Sequence, residues 1–160
     1  MFTKDMANSY TQIHLHCIFA VKYRDAVIHA SWKEHLHRYI TGIVQNYEHK
    51  MLIINSMPDH VHMLIGMRPK QALSDLMKIV KQESSGWINE NRFTFGRFRW
   101  QQGFGAFSYT KADIPIVASY IKNQEKHHHK VTFIEEYKSL LKEFDVEFDD
   151  SYIFKLPTER

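Results

Sequence analysis

The chain has 160 residues, of which 44% are hydrophobic and 24% are charged, and its formal net charge is +3 at pH 7. This length and apolar content fit one compact domain, and no apolar run approaches the roughly 20 residues that a membrane span requires. The mild positive charge permits nucleic-acid binding without requiring it, and a single cysteine, Cys17, excludes an internal disulfide and favours a cytoplasmic location.

The sequence begins with a predicted strand and a predicted helix. Apolar residues occupy the odd positions of residues 11–23, and this alternation predicts a strand. Residues 31–50 carry apolar side chains at helical spacing. Ser31 and Glu34 form a capping-box pattern, which places the expected helix start at Ser31.

A hairpin is predicted next. Residues 51–57 and 60–67 both read as strands, and Pro58-Asp59 between them is typical of a tight turn. The two strands are therefore expected to pair antiparallel.

The second half of the chain predicts two helices, a strand and one more helix. Residues 71–89 have an apolar helical face, and a strand is expected over residues 106–109. Asp113 can begin a third helix, which is expected to end near His129. Thr132 starts a second capping-box pattern, which opens the last helix.

This order of elements favours an α+β fold. We predict a single ferredoxin-like domain, in which one antiparallel sheet carries helices on one face and leaves the other face free for a site. The domain is expected to span residues 10–154, after a flexible N-terminal arm at residues 1–9 and before a C-terminal tail at residues 155–160.

Histidine pairs of the form His-x-His occur four times, and geometry reduces the choice to two. Pairs within helices are excluded because positions i and i+2 of a helix do not face each other, whereas in a strand they share a face. His60 and His62 are favoured over His14 and His16, because they follow a tight turn and the opposite face of their strand is apolar. If the two strands are neighbours, His16 is expected to contact a metal-binding histidine or the substrate.

A tyrosine and a glutamine share one face of the third predicted helix. Tyr120 and Gln124 are four residues apart, which brings their side chains together. Two imidazoles and an amide oxygen can hold one divalent metal ion, with the phenol beside it. This combination suits attack by a tyrosine on a metal-polarised phosphodiester.

Positive charge and aromatic rings alternate between the second helix and the last strand. Arg92, Arg97, Arg99 and Trp100 lie in this segment, and such a pattern is typical of contact with single-stranded or hairpin bases. The alternative is a loop that packs its rings onto the domain. Further DNA contacts are expected from three side chains near the predicted tyrosine, namely Lys122, His127 and His128.

Several motifs together resemble one known family. The segment Pro58-Asp59-His60-Val61-His62-Met63-Leu64 is similar to the HUH motif of the single-tyrosine transposases of small bacterial insertion sequences, the IS-two-hundred-like group. Residues 120–128 resemble their tyrosine-helix motif, and residues 22–24 and 100–108 match further typical segments. The resemblance covers residues 10–154 with all of these motifs in the expected order.

The resemblance implies a ferredoxin-like core and an obligate homodimer. It implies that His60 and His62 bind Mg²⁺ or Mn²⁺, that Gln124 is the third ligand and that Tyr120 is the nucleophile. In the family the tyrosine helix can serve the histidine pair of the partner subunit, so that each dimer has two composite sites.

The implied activity is that of a metal-dependent single-strand DNA transposase. It would cleave and rejoin single-stranded DNA, with a hairpin, at insertion-sequence ends through a 5′-phosphotyrosine intermediate. Two alternatives remain: a replication initiator or relaxase-like nickase with the same HUH chemistry, and a DNA-binding relative without catalytic activity.

Overall fold

A computed structural model describes residues 9–150 of the chain. Expectations for residues 1–8 and 151–160 lie outside this range. One antiparallel sheet has the strand order β2-β3-β1-β4. Its strands are β1 (His14–Ala20), β2 (Lys50–Met57), β3 (His60–Gly66) and β4 (Gly105–Tyr109).

Five α-helices accompany the sheet within residues 9–150. They are α1 (Ala30–Asn46), α2 (Leu73–Glu90), α3 (Ile114–Lys122), α4 (Gln124–His128) and α5 (Phe133–Glu143). The order from β1 to β4 is strand, helix, strand, strand, helix, strand, so the predicted α+β, ferredoxin-like fold is confirmed. Across residues 9–150, none of these helices combines the length and the hydrophobicity that a bilayer crossing would need.

One face of the sheet carries the main hydrophobic core. Alternate side chains of β1 and β3, including Cys17, Phe19, Val61 and Met63, are fully buried there. Helices α1 and α2 cover this face with their apolar sides. The amphipathic spacing of both helices explains this packing, because each has one apolar stripe to bury.

The opposite face is covered too, which corrects the expectation of helices on one face only. Ile18 and Ala20 of β1 are fully buried against residues of α5, and Leu64 of β3 packs against α3. These apolar side chains point away from the main core, so they need a second cover. Gly105 permits close packing of α5, because a Cβ atom at this position would lie 2.7 Å from the hydroxyl oxygen of Tyr137.

Two helix predictions differ from the structure, one in its start and one in its continuity. Helix α1 begins at Ala30 after His29, so Ser31 lies inside the helix and caps nothing. The predicted third helix is divided at Asn123, where the backbone leaves helical geometry (φ −96°, ψ 22°) between α3 and α4. The second capping prediction is confirmed, because the side chain of Thr132 accepts a hydrogen bond from the backbone N–H of Glu135.

Candidate active site

The centre of the site is the start of β3 on the face covered by α3, α4 and α5. His60 and His62 are the first and third residues of this strand, so both imidazoles project from the same face. Their exposed fractions are 1% and 0%. A hydrophilic pair this deeply buried must be matched by polar partners.

Each of these histidines has one ring nitrogen occupied by a supporting side chain. His60 Nδ1 lies 2.7 Å from Asp59 Oδ1, and His62 Nδ1 lies 2.7 Å from Nε2 of the buried His16. His16 reaches His62 because β1 and β3 are neighbouring strands. The Nε2 atoms of His60 and His62 are therefore left to face the helices.

The carboxylate of Glu136, from α5, lies directly opposite these nitrogens. Its Oε1 atom is 3.0 Å from His62 Nε2 and 3.7 Å from His60 Nε2. Its Oε2 atom accepts hydrogen bonds from the hydroxyl of Tyr120 and from Gln124 Nε2, the latter at 3.1 Å. The side chain of Glu136 is 1% exposed, so these donors compensate a charge that water does not reach.

A third histidine approaches the same carboxylate. His128, at the end of α4, places Nε2 3.2 Å from Glu136 Oε1 and 2.8 Å from Gln124 Oε1. One ligand atom from each of His60, His62, His128 and Glu136 lies within 4.8 Å of the other three. Imidazole nitrogen and carboxylate oxygen are common ligands of divalent transition metals, so this group can hold a metal ion.

Tyr120 lies beside this group in the same chain. Its ring centroid is 6.0 Å from that of His62, and its hydroxyl donates to Glu136. Burial and the adjacent negative charge of Glu136 both raise the pKa of the Tyr120 phenol far above its ordinary value. The phenol is therefore protonated in this arrangement, with its proton directed at a carboxylate.

The pKa values of the other ionisable groups in the site are shifted by burial and by neighbouring charges. Burial opposes ionisation of Glu136, but hydrogen bonds from His128, His62 and Tyr120 hold its pKa well below the usual range. Burial lowers the pKa of His62 to about 4 and that of His16 to about 3. Burial also acts to lower the pKa of His128, but its hydrogen bond and charge interaction with Glu136 raise it overall. Electrostatically, the site is a carboxylate surrounded by imidazoles.

Gln124 and His127 also reach the site. Gln124 is fully buried, and its amide is directed at Glu136 and His128. His127 Nε2 lies 3.2 Å from Glu136 Oε2. The structure therefore brings together His60, His62, Tyr120, Gln124 and their supporting His16, all of which were selected from the sequence.

The residues expected to contact DNA are divided between exposed and buried positions. Lys122 is exposed at the end of α3, and the three arginines Arg92, Arg97 and Arg99 are exposed as well. The expected contact of Trp100 with DNA bases is not supported by its position. Trp100 is 8% exposed, packs edge-on against Phe19 and donates its N–H to Ser84. Its ring belongs to the main core and is not presented for base stacking. His128 is directed inward at Glu136 and is likewise not presented to a nucleic acid.

Glu136 is the principal residue that the sequence reasoning missed. The sequence of the predicted last helix does indicate this residue. Phe133, Tyr137 and Leu140 recur on one face of that helix. Glu136 lies on that same apolar face, three residues after the first and four before the last. A carboxylate at a core-facing helical position needs a partner, which marks it as a candidate site residue.

Comparisons with known proteins agree on one family. The sequence profile of the family described as "Transposase IS200 like" matches residues 9–124. A curated relative, the ISDra2 transposase TnpA of Deinococcus radiodurans, is 32% identical over 74 residues. That alignment covers 46% of this chain and 53% of the relative, so the chain spans about half the length of the curated relative it matches.

Two solved structures share the fold. One is a protein of Deinococcus radiodurans R1 described as a transposase, with a TM-score of 0.60 and 22% identity over 78% of this chain and 98% of that chain. The other is a REP-associated tyrosine transposase bound to a REP hairpin. It has a TM-score of 0.58 and 13% identity, with 82% of this chain and 76% of that chain covered.

Proposed function

This chain belongs to the IS200-like transposase family, and we propose that it cleaves and rejoins single-stranded DNA at insertion-sequence ends, with Tyr120 as the nucleophile. The observation that carries the proposal is the convergence of three elements in one chain. The Tyr120 hydroxyl and the Nε2 atoms of His60 and His62 all point at one carboxylate, that of Glu136. A phosphoryl group needs the same surroundings: a nucleophile on one side and positively polarised groups on the other.

The cleavage step forms one phosphorus–oxygen bond and breaks another. The Tyr120 oxygen attacks the scissile phosphorus, and the 3′ oxygen of the preceding nucleotide leaves and takes a proton from water to become a free hydroxyl. The product is a 5′-phosphotyrosine. Glu136 already accepts a hydrogen bond from the phenol, so it is positioned to take the phenolic proton during attack.

Rejoining is the reverse reaction with a different strand. An incoming 3′-hydroxyl attacks the phosphotyrosine and gives its proton to water, the Tyr120 oxygen leaves, and the phenol regains its proton from Glu136. The phosphodiester bond energy is retained throughout, so strand joining needs no ATP. Attack by water in place of a tyrosine would lose that energy.

The donor set fits a divalent cation. His60 Nε2 is buried and has no hydrogen-bond partner, and His60 belongs to a group of four side chains whose ligand atoms lie within 4.8 Å of one another. We propose that His60 and His62 hold Mg²⁺ or Mn²⁺ with Gln124 as the third ligand; nitrogen ligands favour Mn²⁺, because Mg²⁺ prefers oxygen. The cation supplies charge neutralisation at the phosphoryl oxygens.

A basic groove just beyond the C-terminal end of β1 offers a path for the DNA. It is lined by Lys22, Lys78, Arg97 and Arg99 together with residues 101–104. The groove is close to the active site, because Val21, next to Lys22, donates its N–H to the carbonyl of Asp59, adjacent to His60. Cations in a groove favour the phosphate backbone, and the hairpin bound by the REP-associated relative supports a hairpin as the substrate.

We also propose that the active protein is a homodimer. The family resemblance supports this proposal. The position of Tyr120 bears on whether the subunits exchange their tyrosine helices. Tyr120 faces His62 within one chain, so each subunit has the parts of a complete site without exchange of the tyrosine helix.

The direct test is a covalent adduct. Incubation with labelled single-stranded oligonucleotides from insertion-sequence ends and Mn²⁺ should give a denaturation-resistant protein–DNA species. Tyr120→Phe should abolish the adduct, because it removes the attacking oxygen, while hairpin binding is retained. The matched control is Tyr39→Phe, because Tyr39 stacks on Trp87 on the other face of the sheet. This variant should form the adduct normally. Adduct formation by Tyr120→Phe would refute the assignment.

A further inference from the structure

We infer that His128 and Glu136 are direct metal ligands, so that the site holds its cation with three imidazoles and one carboxylate and not with His60, His62 and Gln124 alone. This inference rests on the proposed function for the presence of a metal, and it changes the ligand set. The family profile ends at residue 124, so both added residues come from the part of the chain that the profile does not match.

The tautomer of His60 leaves a lone pair without a partner. Its Nδ1 atom faces the Asp59 carboxylate, which can only accept, so Nδ1 carries the proton. In a neutral ring Nε2 then presents a lone pair. That atom is buried, has no hydrogen-bond donor and points at an anionic oxygen 3.7 Å away. Such a lone pair is stabilised by a cation placed between the nitrogen and Glu136.

His128 directs a second ring nitrogen at the same carboxylate. Its Nδ1 atom lies 2.9 Å from the carbonyl oxygen of Val131, which again can only accept. Its Nε2 atom then faces two oxygens, Gln124 Oε1 at 2.8 Å and Glu136 Oε1 at 3.2 Å. A bound cation would replace the proton that His128 Nε2 donates to these oxygens in the metal-free arrangement.

The separations from Glu136 Oε1 are close to the edge lengths of a metal coordination polyhedron. Ligand atoms about 2.0–2.1 Å from a common ion lie about 3.0–3.4 Å apart, depending on the coordination number. From Glu136 Oε1, the distances to Nε2 of His62, His128 and His60 are 3.0, 3.2 and 3.7 Å. The first two separations fall within this range, and His60 Nε2 must move closer to Glu136 Oε1 for one ion to contact all four side chains.

Neighbouring side chains and one main-chain carbonyl already hold the three rings in the orientation that ligation requires. Asp59 and the Val131 carbonyl accept from Nδ1 of His60 and His128, and His16 lies against Nδ1 of His62. Such partners orient metal-binding histidines and increase their basicity. In this arrangement Gln124 acts as a positioning residue, with its amide bridging His128 and Glu136.

The test counts ligands with Mn²⁺ as the probe and without DNA. Pulsed electron paramagnetic resonance of the wild-type protein, with ¹⁴N or ¹⁵N histidine, should detect three coordinated imidazoles, and His128→Gln should reduce this to two. Titration of the free Mn²⁺ signal should show affinity reduced about 10-fold or more by His128→Gln and by Glu136→Gln. His129→Gln and Glu135→Gln are the matched controls, because both side chains are exposed neighbours, and each should bind as the wild type does.

Two coordinated imidazoles in the wild type, or unchanged Mn²⁺ affinity in both variants, would overturn the inference. The wild-type spectrum needs no variant, so the imidazoles can be counted even if a variant misfolds. Failure here is distinguishable from failure of the proposed function, because the Tyr120-dependent adduct is a separate measurement. An adduct with only two imidazoles on the metal would keep the transposase proposal and reject this ligand set.

Discussion

The two faces of the sheet arise from alternate residues of the same strands, yet they bury different chemistry. In β3, Val61 and Met63 enter an apolar core under α1 and α2, while His60 and His62 enter a polar cluster under α3 to α5. Hydrophobic burial is non-directional, so the first face needs only shape and volume. Buried polar groups need specific partners, so the second face requires an arrangement in which each atom has a defined neighbour.

This difference implies that the apolar face mainly determines stability and the polar face mainly determines the chemistry. Substitutions on the apolar face should change stability and leave the chemistry of folded molecules intact. Substitutions on the polar face should remove chemistry with smaller effects on stability.

The largest expected effect is complete loss of adduct in a mixture of two polar-face variants. His62→Ala and Tyr120→Phe should each be inactive, and co-refolded mixtures of the two should remain inactive. The reason is that in the proposed arrangement Tyr120 serves His62 of its own chain, so no mixed dimer would contain an intact site. The measurement is the denaturation-resistant adduct, and co-refolding of the wild type with each variant is the control. Recovery of adduct in the double mixture would show that the tyrosine helix serves the partner subunit.

A large loss of stability is expected on the apolar face. Ile40 of α1 is fully buried, and Ile40→Ala should lower the free energy of unfolding by about 2–5 kcal/mol, because it removes apolar contacts and leaves a cavity. Urea denaturation measures this, and the adduct yield per folded molecule should stay at the wild-type value. Ile116→Ala is the control: Ile116 is 72% exposed, so the change should stay within about 0.5 kcal/mol. A lower adduct yield per folded molecule of Ile40→Ala would contradict the proposed separation of roles between the two faces.

The smallest expected effect concerns the helix that carries Glu136. Thr132→Ala removes the side chain that caps α5 and should cost about 1 kcal/mol of stability. Ser31→Ala is the matched control, because Ser31 shows the same sequence pattern but lies inside α1 on an exposed position. Its change in unfolding free energy should be close to zero. Equal losses for the two variants would contradict the assigned helix start.

Local periodicity was a reliable guide to the elements and a weaker one to their ends. The alternation in residues 11–23 identified β1, but the strand is regular only from His14 to Ala20 because a 3₁₀ turn follows at Lys22–Arg24. The pattern around Ser31 resembled a helix start, yet the chain already turns at Ala30. Capping patterns depend on a few atoms, so neighbouring residues can overrule them, whereas a repeated apolar stripe is supported along its whole length.

The sequence by itself determined the α+β order, the shared face of His60 and His62, and the pairing of Tyr120 with Gln124, because these follow from repeats of two and four residues. Only the tertiary structure decided that α3 to α5 cover the second face, that Trp100 is a core residue, and that Glu136 reaches His62 from 74 positions away. The reason is physical. A buried carboxylate is placed by the sum of its distant partners, and no local spacing encodes where those partners meet.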